Sequence, residues 1–334
     1  MQPETLFYLI QHTVSQTTGR KKMIGTTYPV KARVGVLLVN YNQWELTKKC
    51  VDSLLASDGV SVVIGLVDNS SGPVPDWVEN TDELVFHKNI SNVGLTAGNN
   101  KAFEMVQKKN VDFVFILNND TEVFPDTVSL LVNYLQNHDE TGITAPAIPY
   151  ANRPDTIWSA GGRYSYARMY LSQIYKKISD LPDHPVEMEQ VTGCAMMMRA
   201  DDYKKAGRQD PDLFVYYEDT DLCFRVKKMG LNIQLIPSAI VLHHISISVG
   251  GIYSPFAIYF THRNRFVVAR RHLSRFSFFL FTLYYFAVTL LKTVLYPAGK
   301  KGNLVYWMWL GLIHGVNNRP DIRPERLFPS EEQP

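Results

Sequence analysis

The sequence offers little support for a disulfide framework, a broad basic surface or a glycine-rich nucleotide loop. Three cysteines, Cys50, Cys194 and Cys223, lie far apart among 334 residues. Such spacing fits neither a disulfide framework nor a metal knuckle, and it favours a reducing compartment. The formal net charge of +2 implies no general polyanion-binding surface, so nucleic acid is not an expected partner.

The glycine motifs that cradle phosphates are also missing. Neither G-x-G-x-x-G nor G-x-x-x-x-G-K with a following Ser or Thr comes after the first apolar run, residues 34–42. A bound phosphate would therefore need another source of positive charge. The simplest source is a divalent cation held on carboxylate oxygens.

What the sequence does contain is an alternation of apolar runs and amphipathic segments. Continuous apolar runs at residues 34–39, 62–67 and 113–117 are typical of strands buried on both faces of a parallel sheet. Segments with helical spacing of apolar residues follow each of them. The pattern predicts an α/β domain with a mainly parallel sheet flanked by helices.

Polar residues follow three of the predicted strands at the point where each strand ends. They are Asn40-Tyr41-Asn42, Asp68-Asn69-Ser70 and Asn118-Asn119-Asp120. Asn, Asp and Ser are common in plain turns, which is one interpretation. Because ligands bind beyond the carboxyl ends of the strands in such sheets, we favour the other interpretation, a polar binding site at this edge.

An acidic cluster in the second half gives a further candidate site. Glu218, Asp219 and Asp221 stand just ahead of a predicted helix that closes at Gly230. They could simply cap the helix and favour its dipole. Alternatively, carboxylates this close raise one another's pKa, which suits a general base. The pair His243-His244, at the end of another apolar run, is a candidate metal ligand.

The C-terminal third is basic and then strongly apolar. An arginine-rich segment at residues 263–275 precedes sixteen residues without charge, 276–291, fewer than the ~20 needed to span a bilayer. We expect residues 251–334 to form a helical region that lies in a membrane interface; a buried helical hairpin and a spanning helix are the alternatives. Residues 1–31 are expected to be an irregular extension without a secretory signal.

Several motifs together resemble the inverting family 2 glycosyltransferases, especially the rhamnosyltransferase-like branch that builds bacterial cell-surface polysaccharides. The motifs are VNYNQ, VDNSS, NVGLTAGNN, LNNDTEV, TGCAMMMRADDY, YYEDTDLCFRVKKMG, HHISISVGG and YFTHRNRFVVARRH, in the family's order. The resemblance implies a GT-A fold, a Rossmann-like nucleotide-diphospho-sugar transferase domain, over residues 32–250. It also implies peripheral attachment at the cytoplasmic face of the inner (plasma) membrane through the C-terminal helices.

The resemblance implies a role for each matching residue. Asp219 would be the catalytic base, with Glu218 and Asp221 in support, and Asp120 and His243 would hold a divalent metal, Mg²⁺ or Mn²⁺. The donor would be a nucleoside-diphosphate sugar, first dTDP-rhamnose and then a UDP-sugar, and the acceptor a lipid-linked glycan. The residues expected near the nucleotide or the sugar are Val39, Asn40, Tyr41, Asp68, Asn92, Gly94, Asn99, Asn118 and Asn119.

Two positions depart from the family pattern. Asn118 stands in place of the first acid of the D-x-D motif, so metal binding would rest on Asp120, the diphosphate and His243. Gln209 stands where the family has an aromatic residue in the acceptor loop. Two other functions stay open, a nucleotidyltransferase and a non-catalytic polysaccharide-assembly protein of the same fold.

Overall fold

The computed structural model describes residues 32–244, 253–298 and 303–319, together with Leu327. The expected irregular extension, residues 1–31, lies outside the described residues. So does the predicted domain boundary between residues 250 and 251, with most of the HHISISVGG motif. The two histidines that open that motif are described.

The described chain forms twelve strands and eight α-helices, and the three strands predicted from apolar runs begin and end within one residue of those runs. The strands are β1 Arg33–Asn40, β2 Ser61–Asp68, β3 Leu84–Lys88, β4 Phe113–Leu117, β5 Thr121–Val123, β6 Thr141–Tyr150, β7 Arg153–Ser159, β8 Gly162–Ser165, β9 Tyr170–Gln173, β10 Val186–Glu187, β11 Ala195–Arg199 and β12 Asn232–His243. The α-helices are α1 Trp44–Leu55, α2 Leu95–Val106, α3 Thr127–Asn137, α4 Ala200–Lys205, α5 Glu218–Lys228, α6 Pro255–His272, α7 Arg275–Ala298 and α8 Asn303–Val316. Short 3₁₀ turns follow α2 and precede β10 and α5.

The predicted mainly parallel sheet is confirmed in its first half. Strands β3, β2, β1 and β4 lie side by side, and every pairing among them is parallel. The register sets Asn40 beside Asp68 at the carboxyl ends of β1 and β2. Burial on both faces explains why these strands are continuous apolar runs without alternation.

The second half makes the sheet mixed. Strand β11 lies between β4 and β6 and is antiparallel to both, whereas β12 runs parallel to β6. The short strand β5 pairs with the end of β12 and sets His243 opposite Thr121. This pairing is what brings two segments distant in sequence, Asn118–Asp120 and His243, to the same edge.

The C-terminal helices pack on the sheet domain through α6. Helix α8 lies close against α6, and glycine at two positions of α8 permits this approach. A Cβ at Gly311 would clash with the Tyr259 carbonyl oxygen, and one at Gly315 would lie 2.5 Å from the Arg263 carbonyl oxygen. Within the described residues, Arg275–Tyr296 is the one helical segment long and apolar enough to cross a bilayer, judged by length and composition. Its exposed apolar side chains are Phe276, Phe279, Leu280, Leu283, Tyr284, Phe286, Leu290, Leu291, Val294 and Leu295.

Candidate active site

A cleft of about 500 Å³ opens at the carboxyl ends of β1 and β4. Ten of the residues predicted for the site line it: Val39, Tyr41, Asn92, Gly94, Asn118, Asn119, Asp120, Glu218, Asp219 and His243. The other four, Asn40, Asp68, Asn99 and Asp221, are not among its lining residues in the described part of the chain. The fold thus gathers most of the predicted residues at one place, as expected for parallel strand ends.

Asn40 and Asp68 form a buried polar network behind the cleft wall. Asn40 donates from Nδ2 to Asp68 Oδ1 at 2.8 Å, and Ser70 donates to the same oxygen from its backbone and its hydroxyl. Thr47 donates to Asn40 Oδ1 at 2.9 Å, and Asn119 donates to the Thr47 hydroxyl at 2.8 Å. These contacts tie three strand ends together. Base recognition by Asp68 stays a prediction, since its carboxyl group is fully buried.

Asn99 lies in a second buried contact, between α2 and the loop before α5. Its Nδ2 donates to Gln209 Oε1 at 2.9 Å, and both side chains are buried. Gln209, the departure from the family pattern, thus joins this loop to α2 by a hydrogen bond. Nearby, Gly94 has a φ of +88°, and a Cβ there would meet the Phe214 ring at 2.5 Å. Only glycine fits that position of the cleft wall.

Asp120 and His243 lie next to each other in the cleft. Asp120 Oδ1 and His243 Nε2 lie 3.2 Å apart, and both side chains are almost fully buried. The Trp158 ring packs edge-on against the imidazole at 4.3 Å between centroids. His244 is directed elsewhere, since its Nε2 lies 2.5 Å from Glu122 Oε1.

One carboxylate and one imidazole fit a divalent cation that takes its remaining ligands from a diphosphate and water. Among the described residues, no group of three or more His, Cys, Asp or Glu side chains is placed to hold a metal ion. The pair is therefore a partial donor set. Asn118 supplies no charge there, so the substrate's own oxygens would have to complete the coordination.

Glu218 and Asp219 begin α5 and face the cleft together. Asp219 Oδ2 accepts from the Gly193 N–H at 3.0 Å, and Asp219 Oδ1 accepts from the Thr220 N–H at 2.6 Å. A Cβ at Gly193 would lie 3.3 Å from that of Asp219, so glycine permits the close approach. Glu218 Oε2 is buried with no hydrogen-bond partner among the described residues.

The surroundings of the two carboxyl groups affect their pKa values differently. Burial raises the pKa of Glu218 to about 8, and the nearby Asp219 carboxylate adds to the increase. Burial also raises the pKa of Asp219, but the N–H groups of Gly193 and Thr220 oppose it. Burial thus favours the neutral form of Glu218, whereas two backbone N–H groups favour the ionised form of Asp219.

Asp221 points away from the cleft. Its carboxylate accepts from Arg225 Nε at 2.8 Å and lies 2.8 Å from His272 Nε2. Burial alone would raise the pKa of Asp221. The hydrogen bond from His272 and the charge of Arg225 outweigh burial, so the pKa is lowered. At about 100° per residue, Asp219 and Asp221 lie about 200° apart around the helix, so their side chains point in nearly opposite directions. The observed contacts join α5 to α6, and a catalytic role for Asp221 stays a prediction.

Other cleft residues carry little sequence signal. Trp158 comes from β7, and Phe214, Val215 and Tyr216 come from the loop before α5. Asn69 also lines the cleft, one residue after the predicted Asp68. Gly193 could have been found, because it stands two residues before the buried strand β11 in the TGCAMMM motif.

Comparison with known proteins agrees with this fold. The profile of Glycosyl transferase family 2 matches residues 35–204, about half of the chain and most of the sheet domain. The chain belongs to this family. It is a glycosyltransferase of GT-A fold, which decides against the nucleotidyltransferase and assembly-protein alternatives.

Individual relatives are distant. The low-salt glycan biosynthesis hexosyltransferase Agl10 of Haloferax volcanii is 23% identical over 305 residues, 88% of this chain and 94% of its own. The dTDP-rhamnosyl transferase RfbF of Shigella flexneri is 21% identical over 54% of this chain and 61% of its own. The mannosyltransferase PcManGT of Pyrobaculum calidifontis, solved with GDP-Man and Mn²⁺, superposes with a TM-score of 0.52 at 11% identity, covering 94% of this chain and 96% of its own. At that identity the superposition shows the fold alone.

Proposed function

We propose that the chain is an inverting glycosyltransferase that moves a hexosyl or 6-deoxyhexosyl group from a nucleoside-diphosphate sugar to a hydroxyl group of a glycan. The observation that carries this proposal is the placement of two acidic groups from different elements in one cleft. Asp120 with His243 and Glu218 with Asp219 all line it. The first pair suits the diphosphate and the second the acceptor hydroxyl.

In the proposed reaction, Asp219 takes the proton of the acceptor hydroxyl. The acceptor oxygen attacks the anomeric carbon, and the bond from that carbon to the diphosphate oxygen breaks with inversion. Asp219 is held in place for this task by the N–H groups of Gly193 and Thr220. Glu218, protonated beside it, avoids a second buried negative charge and can donate a hydrogen bond to the acceptor.

A divalent metal, Mg²⁺ or Mn²⁺, would be held by Asp120 and His243. Such an ion supplies Lewis-acid stabilisation of the charge that develops on the diphosphate leaving group. The proximity of the two side chains and the Mn²⁺ in the solved mannosyltransferase complex support this assignment. Val39, Tyr41, Asn92, Gly94 and the Asn118-Asn119 pair form the part of the cleft that we assign to the nucleotide and sugar.

For the donor sugar, we propose rhamnose from dTDP-rhamnose first and a hexose second. The first choice is supported by the likeness to RfbF and the second by the likeness to Agl10, which matches over more of its length. Thermal-shift screening of dTDP-rhamnose, UDP-sugars and GDP-mannose, each with and without Mn²⁺ or Mg²⁺, tests the choice. The true donor should stabilise the protein only with the metal, by about 2.7 kcal/mol at one hundred times its Kd. No stabilisation by any nucleotide sugar would contradict the proposed function.

We further propose that the acceptor is lipid-linked and that the protein lies peripherally on the cytoplasmic face of the plasma membrane. The exposed apolar face of α7 supports this, because isolated soluble domains rarely expose apolar patches of such extent. Its aromatic side chains and the exposed Arg270 and Arg271 at the end of α6 are typical of helices that lie at the headgroup level. If α7 instead spans the membrane, it should be protected from protease, and the protein should stay with the membrane on alkaline extraction.

A further inference from the structure

The segment that leads into the proposed base has an unusual backbone. Phe214, Tyr216 and Tyr217 have φ angles of +63°, +67° and +68°, a region that bulky L-residues rarely adopt. The segment lines the cleft and is followed directly by Glu218 and Asp219. Such conformations persist only where the surroundings hold them. The contacts that hold this segment therefore bear on where the acids sit.

Asn264 of α6 holds the segment from one side. Its Nδ2 donates to three carbonyl oxygens, those of Leu213, Val215 and Tyr216, each at 2.8 Å. One amide group with two hydrogens thus serves three acceptors, in a position that is fully buried. Carbonyl groups in a surface turn can accept hydrogen bonds from water, but these accept from a buried side chain. An apolar side chain at residue 264 would remove the hydrogen bonds that Asn264 donates to them.

Arg263 completes the arrangement. It donates from Nε to Asn264 Oδ1 at 2.8 Å, which sets the orientation of the amide and turns Nδ2 toward the segment. It also donates from a terminal nitrogen to the carbonyl oxygens of Asp212 at 2.7 Å and Leu213 at 3.2 Å. The remaining carbonyl, that of Phe214, accepts from the Thr96 N–H at 3.2 Å. Every carbonyl from residue 212 to 216 thus has a donor.

The two residues are held in turn by their helix. The Arg263 carbonyl lies where a Cβ at Gly315 would come within 2.5 Å, so α8 packs tightly on this turn of α6. Arg263 is 1% exposed and Asn264 is fully buried. Water cannot replace their hydrogen bonds, and the geometry of the segment depends on these two side chains.

We propose that Arg263 and Asn264 are positioning residues for catalysis, which hold residues 213–217 in the conformation that presents Glu218 and Asp219 to the acceptor. The inference rests on the proposed role of Asp219. It assigns a task to the arginine–asparagine pair of the THRNR sequence that is separate from substrate contact, since neither residue lines the cleft within the described chain.

The test is Asn264→Asp in the full-length chain. The variant keeps the acceptor for Arg263 but turns an oxygen toward the three carbonyl oxygens, so the segment must move. We expect kcat to fall about 100-fold, as for a displacement of about 1 Å at a reacting group. The Kd of the donor nucleotide, measured by calorimetry, should stay within about twofold, since most of its proposed contacts lie on other elements. The acid limb of the pH profile of kcat/KM should also shift.

Two further variants keep the result decisive. Arg263→Lys retains the charge but loses the planar fork, and it should show a smaller fall in kcat with the same pH shift; it decides the matter if Asn264→Asp does not fold. Thr293→Val removes the 2.9 Å hydrogen bond from Trp309 between α7 and α8 and should leave kcat and the pH profile unchanged.

The outcomes separate the two proposals. If folded Asn264→Asp and Arg263→Lys keep wild-type kcat and pH profile while Asp219→Asn is inactive, the positioning role is wrong and the base assignment stands. If Asp219→Asn itself retains turnover, the proposed function fails at its base, whatever the Arg263 and Asn264 variants do.

Discussion

Replacing Glu218 by glutamine should make the protein more stable at alkaline pH. Burial first, and the neighbouring Asp219 carboxylate second, raise the pKa of Glu218 from 4.5 to about 8. Between these two pH values the folded chain binds more protons than the unfolded chain. The free energy of unfolding of the wild type must then fall as the pH rises through this window. The glutamine side chain of the variant has no charge to bury, so this loss should disappear.

The size of the effect follows from the pKa values. At about 1.4 kcal/mol for each pH unit of difference, the increase from 4.5 to about 8 corresponds to at most about 5 kcal/mol by pH 8. Because the pair shares the effect of burial, we expect a difference of about 2 to 5 kcal/mol at pH 8 and almost none near pH 4.5. Urea unfolding followed by tryptophan fluorescence at half-unit steps from pH 5 to 8.5 measures it.

Asp221→Asn on the same helix is the matched control, and its effect on the free energy of unfolding should have the opposite sign. Burial opposes ionisation of Asp221, but the His272 hydrogen bond and the Arg225 charge prevail and lower its pKa below 3.8. The stability that Asp221 contributes is present above pH 3.8 and is lost as the pH falls below it. The variant should therefore be destabilised by about 3 kcal/mol at neutral pH. Parallel curves for wild type and Glu218→Gln from pH 5 to 8.5 would refute our account of the carboxyl pair.

Three other changes test the site and the membrane surface. Asp219→Asn should lower kcat by about 10² to 10⁴, the usual contribution of a general base, with donor binding retained; turnover near the wild-type level would rule Asp219 out as the base. Asp120→Ala should weaken the affinity for Mn²⁺ in the presence of donor at least about tenfold, which a metal titration at fixed donor concentration measures. An unchanged Mn²⁺ affinity would place the metal on other ligands. Phe279→Glu combined with Leu283→Glu on the exposed face of α7 should release the protein from anionic vesicles in flotation, whereas Leu55→Glu, also at an exposed apolar position, should not. Substitutions are preferable to deletion of the C-terminal helices, because α8 supports α6.

Much of the sheet and part of the site could be predicted from local patterns. Unbroken apolar runs predicted β1, β2 and β4, and the polar groups after them predicted the edge where the cleft lies. Strand pairing in the second half of the sheet could not be predicted from the sequence. Strands β5 and β7 to β10 are short or partly exposed and have no clear hydrophobic period. Their placement depends on long-range partners, such as β12 for β5.

Side-chain direction accounts for the differences within the site. Successive residues of a strand point to opposite faces, so Val39 reaches the cleft while Asn40 turns into the buried network with Asp68. On α5 the helical period of 3.6 residues turns Asp221 away from the direction of Asp219. Both distinctions follow from simple periodicity once the direction of one residue is known, but the sequence does not give that direction.

By itself, the sequence determined the α/β class, the family resemblance and the acidic groups, because each depends on local order and residue type. Only the tertiary structure decided that Asp120 meets His243, that Gly193 holds Asp219, and that Arg263 and Asn264 hold the segment before Glu218. These contacts join residues about fifty to more than a hundred positions apart, except that of Gly193 with Asp219 across 26. The first contact depends on the pairing of β12 with β5 and β6 within the sheet, and the last on the packing of α6 against the segment before α5. No local sequence pattern specifies either arrangement.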